Sequence, residues 1–549
     1  MSEIRNYIRK FVSANITIVF GALFAVIGSN LLSIFLSLSV GLFYDIYFQS
    51  GSSKGMAVRK LFPGIHDMQG FAILFISLTL LKLLFTFWGK YSTGITGEKL
   101  TKDLREILFE KQMQHSLTSF QRKKPGNYLL RYSGDLSAIQ QFVNKGVLVF
   151  TGDIFLLAAT MIVLIFMEYH LGIAVMSVWL AGGIATYFLS RIGRKHSESR
   201  RNQRSGILSF VSIRFQHFQT IKAFNRERPE TLAFKKLSIK MYELGKKYQF
   251  VKAGIQSLFP LFFQGAIGIV LWLIVCGIDM NKSNTLVFIL LIFYMQGAFR
   301  RVFQVNMIWQ NGKVSFRKLF ELLNLPMEER PEEGIERIAA RKIIFRNVHF
   351  TFQEQNRLIE DLSFQLPTEG ISLITGGTEY EKSAVLRLML KLYLPDSGEI
   401  FLDQLPYSEL TPFEVRKHIA IISADFPVLG NTVFQAITYQ AVPEKRTKAL
   451  EWLRLLGFRN ELSDDQLLNL PMKNLATHFS KEELMLLQWA RALLTNKKIL
   501  LLDDPFRFSD QRNCQLMINI LQEQAMRKNI VLATDHPPEG LKIDNTILL

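Results

Sequence analysis

The residues best placed to do chemistry follow a short apolar run, Ile371 to Thr375, and read GGTEYEKSAVLRLML. A strand, a glycine turn and a helix that opens with Lys and Ser form an arrangement that cradles phosphate. Backbone N–H groups wrap the oxygens, the lysine reaches the outer phosphates and the hydroxyl holds Mg²⁺. The full spacing is GxxxxGK[ST]. Gly376, Lys382 and Ser383 fit it, but Glu381 stands where the second glycine belongs. Glycine there permits backbone angles and a close phosphate approach that a side chain obstructs. A carboxylate about 4 Å from one phosphate charge, at an effective dielectric of about 20, opposes binding by roughly 4 kcal/mol unless it turns to solvent. Glu379 adds a second acid nearby. Taken alone, the loop could equally be a chance strand, turn and helix, so its neighbours decide.

Those neighbours belong to a chain with two unlike halves. At 549 residues and 49% apolar content it is too long for one ordinary domain. From Lys342 onward, short β-type runs alternate with helical stretches, which predicts an α/β domain with a largely parallel sheet. The formal net charge of +18 could by itself indicate nucleic acid. In the first half, however, the basic residues lie between long apolar runs, so anionic membrane lipid is the expected partner and nucleic acid is not. Two cysteines, Cys276 and Cys514, with no CxxC spacing, predict neither a disulfide framework nor a metal cluster.

A spanning helix needs about 20 mostly apolar residues. Six stretches qualify: Ile16 to Leu42, Phe71 to Trp88, Gly146 to Met167, Leu171 to Leu189, Ile255 to Gly277 and Thr285 to Phe303. The first run is too long for a signal peptide, despite Arg5, Arg9 and Lys10 ahead of it. Two long segments, Tyr91 to Asn144 and Arg191 to Lys252, are rich in Lys and Arg and are therefore expected in the cytoplasm, with both termini. Lys54, Arg59 and Lys60 in the first external loop run against that tendency. Lys82, Asp153 and Gln264 lie within spans and could mark a substrate path, although each also has a structural reading: a long stem, a span end and an interhelical bond.

This layout resembles the type IV exporter fold of ABC transporters, in which helices reach far into the cytoplasm and end in short coupling helices. SFQRKKPGNYLLRYSGDLSAI, with Gly126, Arg131 and Asp135, is similar to the family's first intracellular loop, and FQTIKAFNRERPETLAF, with Ile221, Lys222, Phe224 and Glu227, to the second. YLPDSGEIFLDQLPYSELTPFEVRKHIAII, with Gly398, Ile400, Asp403 and Arg416, resembles the segment after the nucleotide loop. The resemblance implies a nucleotide loop of Gly376, Gly377, Thr378, Glu381, Lys382, Ser383 and Ala384, and places Phe352 against adenine, a position that is equally a core one. It makes Asp503, with Ser383, the Mg²⁺ side and puts Asp504 in place of the catalytic glutamate. Ala424 stands where a glutamine is usual, and Phe479 to Glu483 replace the signature LSGGQ with only Ser480 kept. Asp535 falls at the place of the switch histidine, with His536 one residue later. The stretch ahead of the signature, LPMKNLATHFS, is several residues shorter than in relatives.

The expected architecture is thus an all-α transmembrane domain of six helices over residues 1–325, a linker at 326–341, and an α/β P-loop NTPase-like ABC domain with eroded ATP motifs at 342–549. By resemblance the chain is half of an exporter that couples ATP and Mg²⁺ to the export of a lipid, peptide or amphipathic compound. It is expected in a bacterial cytoplasmic (inner) membrane, as a dimer with another half-exporter. A more complete partner is favoured over a second copy, since each ATP site combines two chains. The alternative is a non-hydrolysing scaffold or regulatory subunit with the same fold.

Overall fold

The computed structural model describes residues 2–48, 65, 67–121, 128–129, 131–278, 280, 282–329, 342–351, 358–439, 442–472 and 479–549. These form two compact units, one of Met1–Met113 with Lys123–Leu325, the other of Gln114–Arg122 with Pro326–Leu549. Gly126, Phe352, the first external loop with Lys54, Arg59 and Lys60, and most of the linker lie outside the described residues.

The helices in chain order are α1 (Ser2–Ala14), α2 (Ile16–Tyr47), α3 (Met68–Met113) and the short α4 (Leu117–Gln121), which belongs to the second unit. A π-helical turn (Arg131–Asp135), α5 (Leu136–Val143) and a second π turn (Asn144–Val149) then lead into α6 (Phe150–Met167). The first unit ends with α7 (Tyr169–Gln216), α8 (Phe218–Ala223), α9 (Glu227–Val275) and α10 (Lys282–Leu323). Among the described residues, six continuous helices are long and apolar enough to cross a membrane, and they cover the six apolar stretches, except that the fifth helix ends at Val275, two residues short of Gly277. Helices α3, α7 and α9 have 46, 48 and 49 residues. At about 1.5 Å per residue each is roughly 70 Å long, more than twice the hydrocarbon thickness of about 30 Å. Each therefore continues well beyond its span.

Helix α10 is central because its apolar residues recur at helical spacing. Val287, Phe288, Leu291, Ile292, Met295, Ala298 and Phe299 are buried, packed with Trp179 of α7 and Phe259 and Phe263 of α9. Small residues let helices approach, as where Gly41 faces Val287 and Gly152 faces Val26. Asp153 is 2% exposed and accepts two bonds from Arg301, at 2.8 and 2.6 Å. A carboxylate buried in a membrane domain needs such a partner, so Asp153 belongs to the packing of α6 against α10. Lys82 lies over the Tyr294 ring at 5.0 Å, and Gln264 is exposed on α9. Asp135 is buried, ion-paired with Arg131, and accepts a bond from Ser315 at 2.7 Å. That explains why Arg and Asp stand four apart in this π turn. Lys222 and Glu227 pair at 2.8 Å across the end of α8.

The second unit contains two sheets. Strands β1 (Ile343–Thr351), β2 (Leu358–Gln365), β4 (Ser397–Leu402) and β5 (Leu405–Pro406) form an antiparallel sheet in the order β2-β1-β4-β5. Strands β3 (Gly370–Thr375), β6 (Ile419–Ser423), β7 (Ile499–Asp503), β8 (Asn529–Ala533) and β9 (Asn545–Leu548) form a parallel sheet in the order β6-β7-β8-β3-β9. Its central strands are buried almost without interruption, as parallel strands covered on both faces are. Helices α11 (Glu379–Met389), α12 (Pro412–His418), α13 (Val433–Thr438), α14 (Arg446–Leu455), α15 (Asp464–Leu468), α16 (Lys481–Leu494) and α17 (Gln511–Ala525) complete the unit.

Several quoted residues acquire physical reasons here. Gly398 has φ +82°, and a Cβ there would lie 2.1 Å from the Asn347 carbonyl oxygen. Ile400 is buried, and Asp403 accepts from the Lys342 N–H at 2.9 Å. Arg416 clamps both Glu328 oxygens at 2.8 Å and donates to the carbonyls of Leu390 and Lys391.

The segment around α4 is part of this unit. Ser116 N–H donates to the Pro326 carbonyl at 3.2 Å, and Glu328 N–H to that of Gln114 at 2.7 Å. Leu117 packs on the core beneath β1 and α11, and Tyr393 Oη donates to Gln121 Oε1 at 3.3 Å.

Candidate functional site

Parallel pairing aligns Ser423, Asp503 and Ala533 across β6, β7 and β8, and Ala533 with Ile374 of β3. The residues at and just beyond these strand ends are therefore brought together at the carboxyl edge of the sheet, where α/β domains place their ligands. They are Ser423, Asp503, Asp504, Thr534, Asp535 and the loop from Gly376 to Ser383.

Ser383 and Asp503 meet there. Asp503 Oδ2 accepts from Ser383 Oγ and from Ser423 Oγ, both at 3.0 Å. Burial pushes the Asp503 carboxyl above the usual range, and the two hydroxyls oppose that shift. A hard oxygen pair of this kind suits Mg²⁺. Sequence reading missed Ser423, which precedes Ala424 and supplies a hydroxyl at this edge. Asp504 sits at φ +47°, and its carboxylate accepts from Thr534 Oγ1 at 3.3 Å.

The loop expected to cradle phosphate is already occupied from within. Helix α11 starts at Glu379, so the residues that should stay open as a cradle form its first turn. Thr378 N–H donates to Glu381 Oε2 at 2.6 Å, and Glu381 N–H donates back to Thr378 Oγ1 at 3.3 Å, a reciprocal capping box. The Glu381 carboxylate lies against Gly377, where an added Cβ would be 2.6 Å from it. Lys382 N–H bonds the Thr378 carbonyl at 3.1 Å. Ala384 is buried in the core, and its side chain serves packing.

Lys382 and Gly376 are engaged by Asp535. The Lys382 ammonium forms an ion pair with the Asp535 carboxylate, which also accepts from Gly376 N–H at 3.2 Å and from Thr375 Oγ1 at 3.3 Å. Lys382 holds the Asp535 carboxyl below the usual range, with Gly376 and Thr375 assisting. Of the two residues open at this place in the sequence, Asp535 reaches the loop, while His536 gives a backbone bond to Thr534. In this conformation the loop does not fit a phosphate, because donors that would hold one are taken by carboxylates.

Ser480 lies elsewhere in the unit, at the start of α16, and it is engaged in the same way. Its hydroxyl accepts from Glu483 N–H at 3.0 Å, and its own N–H donates to Glu483 Oε2 at 2.8 Å. Arg459 Nε donates to Glu483 Oε1 at 2.5 Å. Burial raises the Glu483 carboxyl, but Arg459 and the Ser480 N–H bring it below the usual range. Glu482 accepts from Asn513 Nδ2 at 2.7 Å. The signal for both caps was present in the sequence as Ser/Thr-x-x-Glu, in TEYE and SKEE, and was missed.

Comparison with known proteins agrees with this architecture. Residues 19–299 match the family model of the ABC transporter transmembrane region, and residues 359–507 match that of the ABC transporter domain. An ABC transporter ATP-binding protein of Bacillus subtilis is 23% identical over 418 residues, covering 74% of this chain and 68% of that protein. The ATP-dependent lipid A-core flippase of Alkalilimnicola ehrlichii is 24% identical over 476 residues, covering 82% and 77%. A multidrug resistance ABC transporter of Lactococcus lactis is 21% identical over 451 residues, covering 81% and 76%. A bacterial Atm1-family ABC exporter with ATP bound superposes with a TM-score of 0.82 at 17% identity, over 97% of this chain and 93% of that one. With six membrane-length helices among the described residues ahead of an α/β domain, the chain is a multi-pass membrane protein that belongs to the ABC transporter family, with the exporter fold.

Proposed function

We propose that this chain is a half-exporter subunit that links nucleotide state to the export of a lipid, peptide or amphipathic compound. The observation that carries the reading is the place of Gln114–Arg122. This segment follows membrane helix α3 and folds as part of the α/β unit, with Leu117 packed against its core. A change of shape in that unit therefore reaches a membrane helix through continuous backbone. The lipid A flippase and multidrug relatives support a membrane-soluble cargo. A dimer is required for composite nucleotide sites, and the substitutions at Glu381 and Phe479 to Glu483 favour a more complete partner chain. The Lys/Arg-rich arms support a cytoplasmic place for the termini and the α/β domain, and the bacterial relatives support a bacterial inner membrane.

The test is reconstitution of the chain in vesicles, alone and with its co-purifying partner, measuring Mg-ATP hydrolysis and translocation of a fluorescent phospholipid and a fluorescent amphipathic dye. ATP-dependent movement of either probe in one preparation supports the reading. If neither moves and no ATP is consumed, the second reading takes its place: a non-hydrolysing scaffold or regulatory subunit, which the capped helices α11 and α16 favour.

A further inference from the structure

We infer that Glu381, together with Asp535, is an intramolecular substitute for nucleotide phosphate, and that Glu483 does the same at the signature helix. The chain thus rests with both of its phosphate-binding helix starts closed. This deepens the reading above and rests on it, because it concerns the regulation of that same site.

A helix N-terminus attracts phosphate through free N–H groups and a partial positive charge. An acidic side chain satisfies both demands without any ligand. At α11, Glu381 takes the Thr378 N–H, and its own N–H is turned to Thr378 Oγ1. The charge that should meet the outer phosphates, Lys382, is 4% exposed and is neutralised by Asp535. Asp535 takes the Gly376 N–H as well. At α16, the Glu483 carboxylate takes the Ser480 N–H, the Glu483 N–H is turned to Ser480 Oγ, and Arg459 fixes the carboxylate in place. One substitution in one loop would be erosion. The same reciprocal cap at both helices, with Arg459 paired to the capping Glu483 and Lys382 paired to Asp535 beside the Glu381 cap, amounts to a stable ligand-free form. The Ser383 and Asp503 oxygens remain together, so the metal side of the pocket is preserved while the phosphate side is shut.

Nucleotide must therefore expel two carboxylates from the loop, and removing them should create affinity. The experiment is equilibrium binding of radiolabelled ATP, with Mg²⁺, to the full chain in lipid nanodiscs. It compares wild type with Glu381→Gly, Glu381→Gln, Asp535→Asn and the Glu381→Gly/Asp535→Asn double variant. Glu414→Gly is the control, since it removes an equivalent capping box with Thr411 at α12. We expect the double variant to bind at least about 100-fold more tightly than wild type. Glu381→Gln, which keeps the cap but loses the charge, should gain about tenfold, and the control should gain nothing. Amide hydrogen exchange without nucleotide provides a second readout: the Thr378 and Glu381 N–H groups should be protected in wild type, and the Thr378 N–H, which loses its carboxylate acceptor, should lose that protection in Glu381→Gly.

Wild-type affinity equal to that of the double variant overturns the inference, as does unprotected exchange at Thr378 and Glu381. Either result leaves the exporter reading standing if cargo still moves. Conversely, a gain in binding with no cargo movement in any preparation keeps the inference and removes the exporter reading.

Discussion

The buried ammonium of Lys382, at the start of α11, is paired with the exposed carboxylate of Asp535, which follows β8. The pair joins the phosphate loop to the adjacent strand end. Because the Asp535 carboxyl is held below its usual range, it favours the folded state above the ordinary aspartate value of about 3.9, and this contribution fades as pH falls through the depressed value. Asp535→Asn should therefore lower the melting temperature by the same amount at pH 6 and pH 8, and the difference from wild type should close only in strong acid. Thermal unfolding at a series of pH values measures this.

Asp153 and Arg301 make a more costly pair to break. Arg301→Leu leaves a carboxylate that is 2% exposed without its partner in the membrane unit. A one-sided loss of this kind costs about 3 kcal/mol, whereas replacing both groups restores much of it. Unfolding in detergent should rank wild type and the Asp153→Leu/Arg301→Leu double variant above Arg301→Leu. Equal stability of the two variants would remove the pair from the account of helix packing.

Gly398 should tolerate no side chain. Alanine there meets the Asn347 carbonyl oxygen at 2.1 Å and is held at φ +82°. The strain and clash together should cost at least about 2 kcal/mol. The same change at Gly457, at φ +71° with open space around it, should cost about 1 kcal/mol. Denaturant unfolding of the two variants compares a clash with backbone strain alone.

Arg416→Lys should loosen the exit from the membrane domain. Lysine replaces a two-pronged bond to Glu328 with a single one and loses the bonds to the Leu390 and Lys391 carbonyls. The expected loss is about 1 to 2 kcal/mol, with faster hydrogen exchange confined to residues 326–329 and 114–121.

Much of the fold was legible because it depends on long patterns. Six apolar runs of spanning length and a change of period after Lys342 are averaged over many residues, so single substitutions do not hide them. The site was legible only as far as each residue acts alone. Ser383 and Asp503, both read on the Mg²⁺ side, hydrogen-bond to each other in the structure, but Asp153 could not be matched with Arg301, which lies 148 positions away. Glu381 was read as an obstacle to phosphate, with a turn toward solvent as its only escape. In the structure it turns instead to its own backbone, an outcome set by the threonine three residues earlier. Asp535 shows the other limit: which of two adjacent residues reaches Lys382 depends on where β8 ends, and strand ends are the least determined feature of a sequence.

The inclusion of Gln114–Arg122 in the α/β unit means that the backbone passes between the two units three times, after Met113, after Arg122 and after Leu325. A fragment beginning at Pro326 would lack nine residues of its own unit, Leu117 against the core among them. Cutting the gene at the apparent boundary would thus remove part of the machine it was meant to isolate, and the sound unit for dissection is the whole chain.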